Sequence, residues 1–141
     1  MAGKRKVIKI YIHHSALSPD TGLEAIRELH IQRGFDDVGY HFVIEKNGDI
    51  RKGRDINTQG AHVKGDNTES IGICVCGNFE ETYPTTIQIK TLVILIKKLF
   101  REFGELQVLG HKDFPLADTL CPGQHLYELL PDIRKKLRIQ K

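Results

Sequence analysis

The chain has 141 residues, 40% hydrophobic and 28% charged, with a formal net charge of +3. Its length suits one domain, residues 1–141, that buries about two thirds of its unfolded surface and needs no staples to fold. The positive excess sits at the ends, on Lys4, Arg5 and Lys6 and on Arg134, Lys135, Lys136, Arg138 and Lys141, and reads as solvated termini; with no basic, aromatic-interleaved pattern, nucleic acid is excluded as a partner.

The opening MAGKRKVIKIYIHH lacks the apolar core and small-residue cleavage site of a signal peptide, and no apolar run is long enough to span a membrane. The expectation is a monomer made in the cytoplasm. Val7 to Ile12, VIKIYI, is β-branched and aromatic and reads as a strand, with His13-His14-Ser15 at its end. Asp20-Thr21-Gly22 starts a helix whose apolar positions are Leu23, Ile26, Leu29 and His30, and Gly34 ends it. Gly39 to Glu45 alternates as a strand. Asn47-Gly48 then marks a hairpin with a type I′ turn, and Ile50 to Gly53 returns.

Arg54 to Ser70 has no periodicity and reads as a long loop, a kind of segment that is often functional. Ile71 to Val75 is a short apolar run for a central strand. Cys74 and Cys76, two apart, point the same way and suit reduced thiols rather than a disulfide. Thr85 to Phe103 carries apolar residues at helical spacing and Gly104 stops it. Leu106 to Leu109 is a strand and Leu126 to Leu137 a final helix. The mixture predicts an α/β fold, a central mixed β-sheet with helices on both faces.

The segment GHKDFPLADTLCPG, Gly110 to Gly123, is a Gly- and Pro-punctuated loop holding His111 and Cys121. A lone histidine or cysteine is usually structural, but the two together in one loop offer donors for zinc. A catalytic zinc takes three protein ligands and keeps one position for water; the third is placed at His13. In a strand His13 and His14 face opposite sides, so one of them reaches a shared site. Tyr40 reads either as an amphipathic core residue or as a phenol donating to an oxyanion. His62 is a surface residue or a groove wall. Lys64, Asp66 and Asn67 read as a turn, and Asp113 either caps its own backbone or supports a metal-bound histidine.

Four stretches together resemble one family: IHHSA at 12–16, DVGYHFVIEKNGDIRKGRD at 37–55, GAHVKGDNTESIGICVCGNF at 60–79 and GHKDFPLADTLCPG at 110–123. The chain is similar to the zinc-dependent N-acetylmuramoyl-L-alanine amidases, phage-type members above all, whose fold is shared with peptidoglycan recognition proteins. The resemblance implies zinc on His13, His111 and Cys121, Tyr40 and Thr119 as catalytic residues, and His62 and Asn67 in the substrate groove. Where Thr119 stands, the phage type has a lysine and catalytic recognition proteins commonly a threonine. Arg54 matches a family arginine. The implied reaction is hydrolysis of the amide between N-acetylmuramic acid and L-alanine in peptidoglycan, with the enzyme acting on the wall after release from the cell as an endolysin. A peptidoglycan-binding protein without catalysis and an intracellular amidase that recycles muropeptides are the alternatives.

Overall fold

A computed structural model describes residues 5–138. Among the described residues five strands form one sheet in the order β3-β2-β4-β1-β5: β1 is Lys9–His14, β2 Phe42–Ile44, β3 Ile50–Lys52, β4 Ser70–Val75 and β5 Gln107–Gly110. β1 runs parallel to both β4 and β5, β2 runs parallel to β4, and the edge strand β3 is antiparallel to β2. Two core clusters cover the two faces. Ile10 and Ile12 of β1 and Ile71, Ile73 and Val75 of β4 pack with α2 (Thr86–Phe103) and α4 (Leu130–Arg138). On the opposite face Val43, Cys74 and Cys76 pack with Leu23 and Ile26 of α1 (Leu23–Gln32). This is the mixed sheet between helices that the pattern predicts.

Several local expectations are corrected. β1 starts two residues later than its apolar run and takes in both histidines, because parallel pairing continues through His13↔Cys74 and His14↔Val75. The hairpin after β2 is not type I′. Positive φ falls on Gly48 (92°) and not on Asn47, and Gly48 N donates to Glu45 O at 2.8 Å. A three-residue loop with glycine in the left-handed position results. The segment before β2 is irregular: His41 N donates to Gly72 O, and the carbonyl oxygens of Gly39 and Tyr40 accept from Ala61 N and Arg54 N. The last helix is broken into α3 (Gln124–Tyr127) and α4, since Pro131 has no N–H to continue a ladder and is tolerated only in a first turn.

The basic ends are not all solvated. Arg5 donates to the carbonyl oxygens of Ile56, Thr68 and Ser70 at 3.0–3.3 Å, and Arg134 donates to Val108 O at 2.9 Å. Lys4 and Lys141 lie outside the described residues. Arg54 likewise bridges segments, donating to Val38 O at 2.8 Å and Gln59 O at 3.0 Å. α1 has no side-chain cap of its own; the Glu45 carboxylate reaches over from the hairpin to accept from Leu23 N at 2.9 Å. α2 carries the capping box that its sequence offers, Thr85 with Gln88.

Buried neutral histidines tie the irregular segments down. His41 Nδ1 accepts from Gly72 N at 3.1 Å and its Nε2 bonds Thr58 O at 2.7 Å. His30 Nδ1 accepts from Gly39 N at 2.9 Å. Burial, opposed by the Thr58 carbonyl and reinforced by the Arg5 charge, brings His41 down to about 4, and burial also lowers His30. A base whose folded pKa is depressed gives stability that is complete above its unfolded value of about 6.5 and is lost as pH falls towards the folded value. The metal-free protein is therefore expected to lose about 1.4 kcal/mol per pH unit from His41 alone between about pH 6.5 and about pH 4. Urea unfolding across that range checks it; a flat profile contradicts it.

Candidate metal centre

Parallel register brings the first two site residues together. Gly110 pairs with Ile12, so His111, the next residue, emerges beside His13. Their ring centroids are 4.8 Å apart. A 3-10 turn over His111–Asp113 then reverses the chain. Asp113 caps it, accepting from Gly110 N at 2.9 Å and from the Tyr127 hydroxyl at 2.5 Å. Its carboxylate holds the loop together and is not the partner of a site histidine. The loop closes on itself when Lys112 N donates to Cys121 O at 3.0 Å, which delivers Cys121 back to the end of β1.

The ligating atoms of His13, His111 and Cys121 lie within 4.8 Å of one another. Cys121 Sγ is 3.5 Å from His13 Nδ1. Sulfur and nitrogen bound tetrahedrally to one zinc at about 2.3 and about 2.1 Å stand roughly 3.6 Å apart, so this donor set fits that ion. His14 points to the other face, where its Nδ1 accepts from Phe79 N at 3.1 Å.

The electrostatics suit a cation. His13 is driven well below its usual range by burial first and then by the neighbouring His62, His111, His14 and His30 rings; burial lowers His111 too. Burial pushes the Cys121 thiol up to about 12, although His14 N donates to it at 3.4 Å. A site with neutral imidazoles and a costly thiolate lacks positive charge, which a divalent ion supplies.

Tyr40 is half-buried between His13 and His30, with ring centroids 5.0 and 5.4 Å away. Burial, with Cys74 and Cys121 adding to it, holds the phenol well above its usual range. Thr119 Oγ1 accepts from Cys121 N at 3.1 Å, which leaves its own O–H free to donate. A cleft of about 870 Å³ opens at His111, bordered also by Phe35, His62, Asn67, Leu116 and Thr119. Asn67 also shapes its wall, its side-chain oxygen accepting from His62 N and Val63 N at 2.9 Å each.

Sequence reasoning missed two parts of this site. His62 Nδ1 lies 2.9 Å from His13 Nε2, so its ring supports the candidate ligand as well as bordering the cleft. Gly72 makes that possible, because a Cβ there would stand 2.6 Å from His62 Cγ. A glycine inside an apolar strand is the available signal, since it often marks a close approach.

Comparison with known proteins follows the same lines. The family described as N-acetylmuramoyl-L-alanine amidase matches residues 3–124. The endolysin of Klebsiella phage KP32 is 33% identical over 127 residues, covering 85% of this chain and 83% of its own length. Among solved structures, the endolysine N-acetylmuramoyl-L-alanine amidase LysCS from Clostridium intestinale aligns with a TM-score of 0.86 at 34% identity, over 96% of this chain and 85% of that one. Drosophila peptidoglycan recognition protein SD aligns with a TM-score of 0.80 at 25% identity, over 92% and 85%.

With the Cys121 thiol at about 12, metal uptake must displace its proton. Zinc affinity is expected to rise about tenfold per pH unit between about pH 7 and pH 9, where the histidines are already neutral. Competition with a chromophoric chelator measures the slope, and a pH-independent affinity removes the thiol from the site.

Proposed function

This chain belongs to the N-acetylmuramoyl-L-alanine amidase family, and on that premise we propose that it is a zinc hydrolase that opens the bacterial cell wall as an endolysin. The reaction is hydrolysis of the amide between the lactyl group of N-acetylmuramic acid and L-alanine in peptidoglycan. The observation that carries the metal reading is the convergence of two imidazoles and a thiol, contributed by β1 and by the loop after β5, within 4.8 Å. His13, His111 and Cys121 hold the ion. When bound, zinc lowers the pKa of its water to about 7 and polarises a carbonyl.

The chain's own groups complete the chemistry. Attack on the amide carbonyl places negative charge on its oxygen, and donors aimed at that oxygen lower the barrier. Tyr40 is fitted to donate because its phenol is protonated at neutral pH and its ring stands 5.0 Å from that of His13. Thr119 supplies a second hydroxyl, fixed in place by Cys121 N. The cleft bordered by His62 and Asn67 receives the muramoyl-peptide, with Phe35 and Leu116 as apolar walls. The substrate is the partner, and the protein works on the wall as a monomer. No helix among the described residues is long and apolar enough to cross a membrane.

Purified peptidoglycan is the test. Digestion should release new alanine amino termini and leave glycan strands intact; a zinc chelator should stop it and added zinc restore it. Cleavage at a glycosidic bond, or undiminished cleavage in chelator, overturns the proposal. Cys121→Ser is expected to lose zinc and activity together. Tyr40→Phe should keep its zinc while kcat falls about 100-fold, the usual loss for one oxyanion donor. An unchanged kcat takes Tyr40 out of the mechanism.

A further inference from the structure

Both ring nitrogens of His13 are engaged. Nδ1 faces Cys121 Sγ at 3.5 Å, and Nε2 faces His62 Nδ1 at 2.9 Å. Beyond His62 the contacts continue: its Nε2 lies 3.4 Å from Ser70 Oγ, and Ser70 Oγ lies 2.8 Å from Asp66 O. All three side chains are buried.

The direction of this chain follows from its far end. A carbonyl oxygen only accepts, so the Ser70 hydroxyl proton goes to Asp66 O. Ser70 Oγ then has lone pairs alone to offer His62, which places the His62 proton on Nε2. A neutral imidazole carries one proton, so His62 Nδ1 is bare and accepts. His13 must therefore carry its proton on Nε2, and the lone pair left on Nδ1 faces His111 and Cys121.

We propose that His62 and Ser70 are positioning residues, a one-way hydrogen-bond chain anchored on the Asp66 carbonyl that locks His13 in the tautomer presenting Nδ1 to the metal. This rests on the reading of His13 as a zinc ligand. Three further contacts hold the chain in place. Asn67 pins His62 N and Val63 N, Asp66 N donates to Val63 O at 2.9 Å, and Gly72 leaves β4 bare beneath the His62 ring. The Asp66 carboxylate, taken up by Lys9 Nζ and the Tyr11 hydroxyl, steadies the residue whose carbonyl ends the chain. A free imidazole in water populates both tautomers; here the backbone selects one before any metal arrives. Fixing a ligand's tautomer and ring angle in this way is worth about 10–100-fold in metal affinity.

Two measurements test this. Nitrogen-15 long-range correlation spectra of the metal-free protein at pH 7.5 should show His13 and His62 both as Nε2–H tautomers. An Nδ1–H form at either ring, or rapid exchange between forms, overturns the proposal, and this needs no variant and no zinc. Zinc competition titrations then compare His62→Phe, which removes the acceptor, with His62→Gln, whose amide offers an acceptor to His13 and a donor to Ser70. His62→Phe and Ser70→Ala should weaken zinc by about 10–100-fold, with His62→Gln recovering most of the loss. A folded His62→Phe protein that binds zinc as the wild type does contradicts the chain. A wild-type protein that binds no zinc, while both rings are Nε2–H, leaves the tautomer lock standing and removes the zinc reading instead.

Discussion

β1 lies between two parallel neighbours, and the site is a consequence of that position. Its register with β5 ends at Ile12↔Gly110, so the chain must leave β5 at His111, directly beside His13. Its register with β4 sets His13 against Cys74, on the face that α1 covers. Side chains alternate along a strand, so a one-residue slip of β1 would present His14 to this face and bury His13 against Phe79. The apolar residues Ile10 and Ile12 prevent the slip, because it would turn both away from the core under α2. Packing on one face of the sheet thus determines which imidazole reaches the chemistry on the other.

Burial gives this geometry its electrostatic character. Cys121, His13 and His62 are almost wholly withdrawn from water, so the imidazoles stay neutral and the thiol stays protonated when no cation is near. The same desolvation strengthens the attraction between a divalent ion and these donors. Burial raises the Tyr40 phenol as well, so it stays protonated through neutral pH. Neutral imidazoles, a protonated thiol and a protonated phenol all follow from burial at this end of the sheet.

The strands, the long helix and the loop of His111 and Cys121 were legible because each carries a local signal: β-branched runs, apolar spacing under a Thr85 cap, Gly and Pro around the two donors. Alternation along the strand implied that one of His13 and His14 faces that loop, and the family resemblance selected His13. What could not be read locally were contacts between segments far apart in sequence. Glu45 capping α1, Arg5 and Arg54 bonding distant carbonyl oxygens, and Ser70 orienting His62 all join elements whose proximity only the fold creates. The turn after β2 was misread for a different reason: Asn47-Gly48 fits type I′, but the Ile44↔Ile50 register leaves five residues between, and Glu45 N donating to Asp49 O reduces the loop to three rather than two. Arg5 looked like a solubilising terminus because nothing in its neighbours reveals that backbone oxygens await it.

The account stands or falls on one shared ion bound by side chains 108 residues apart. X-ray absorption at the zinc edge of the loaded protein tests this most directly. The account predicts one sulfur neighbour at about 2.3 Å, two imidazole nitrogens at about 2.0–2.1 Å and one light oxygen scatterer. A shell made only of oxygen and nitrogen, or one with two sulfurs, would contradict it.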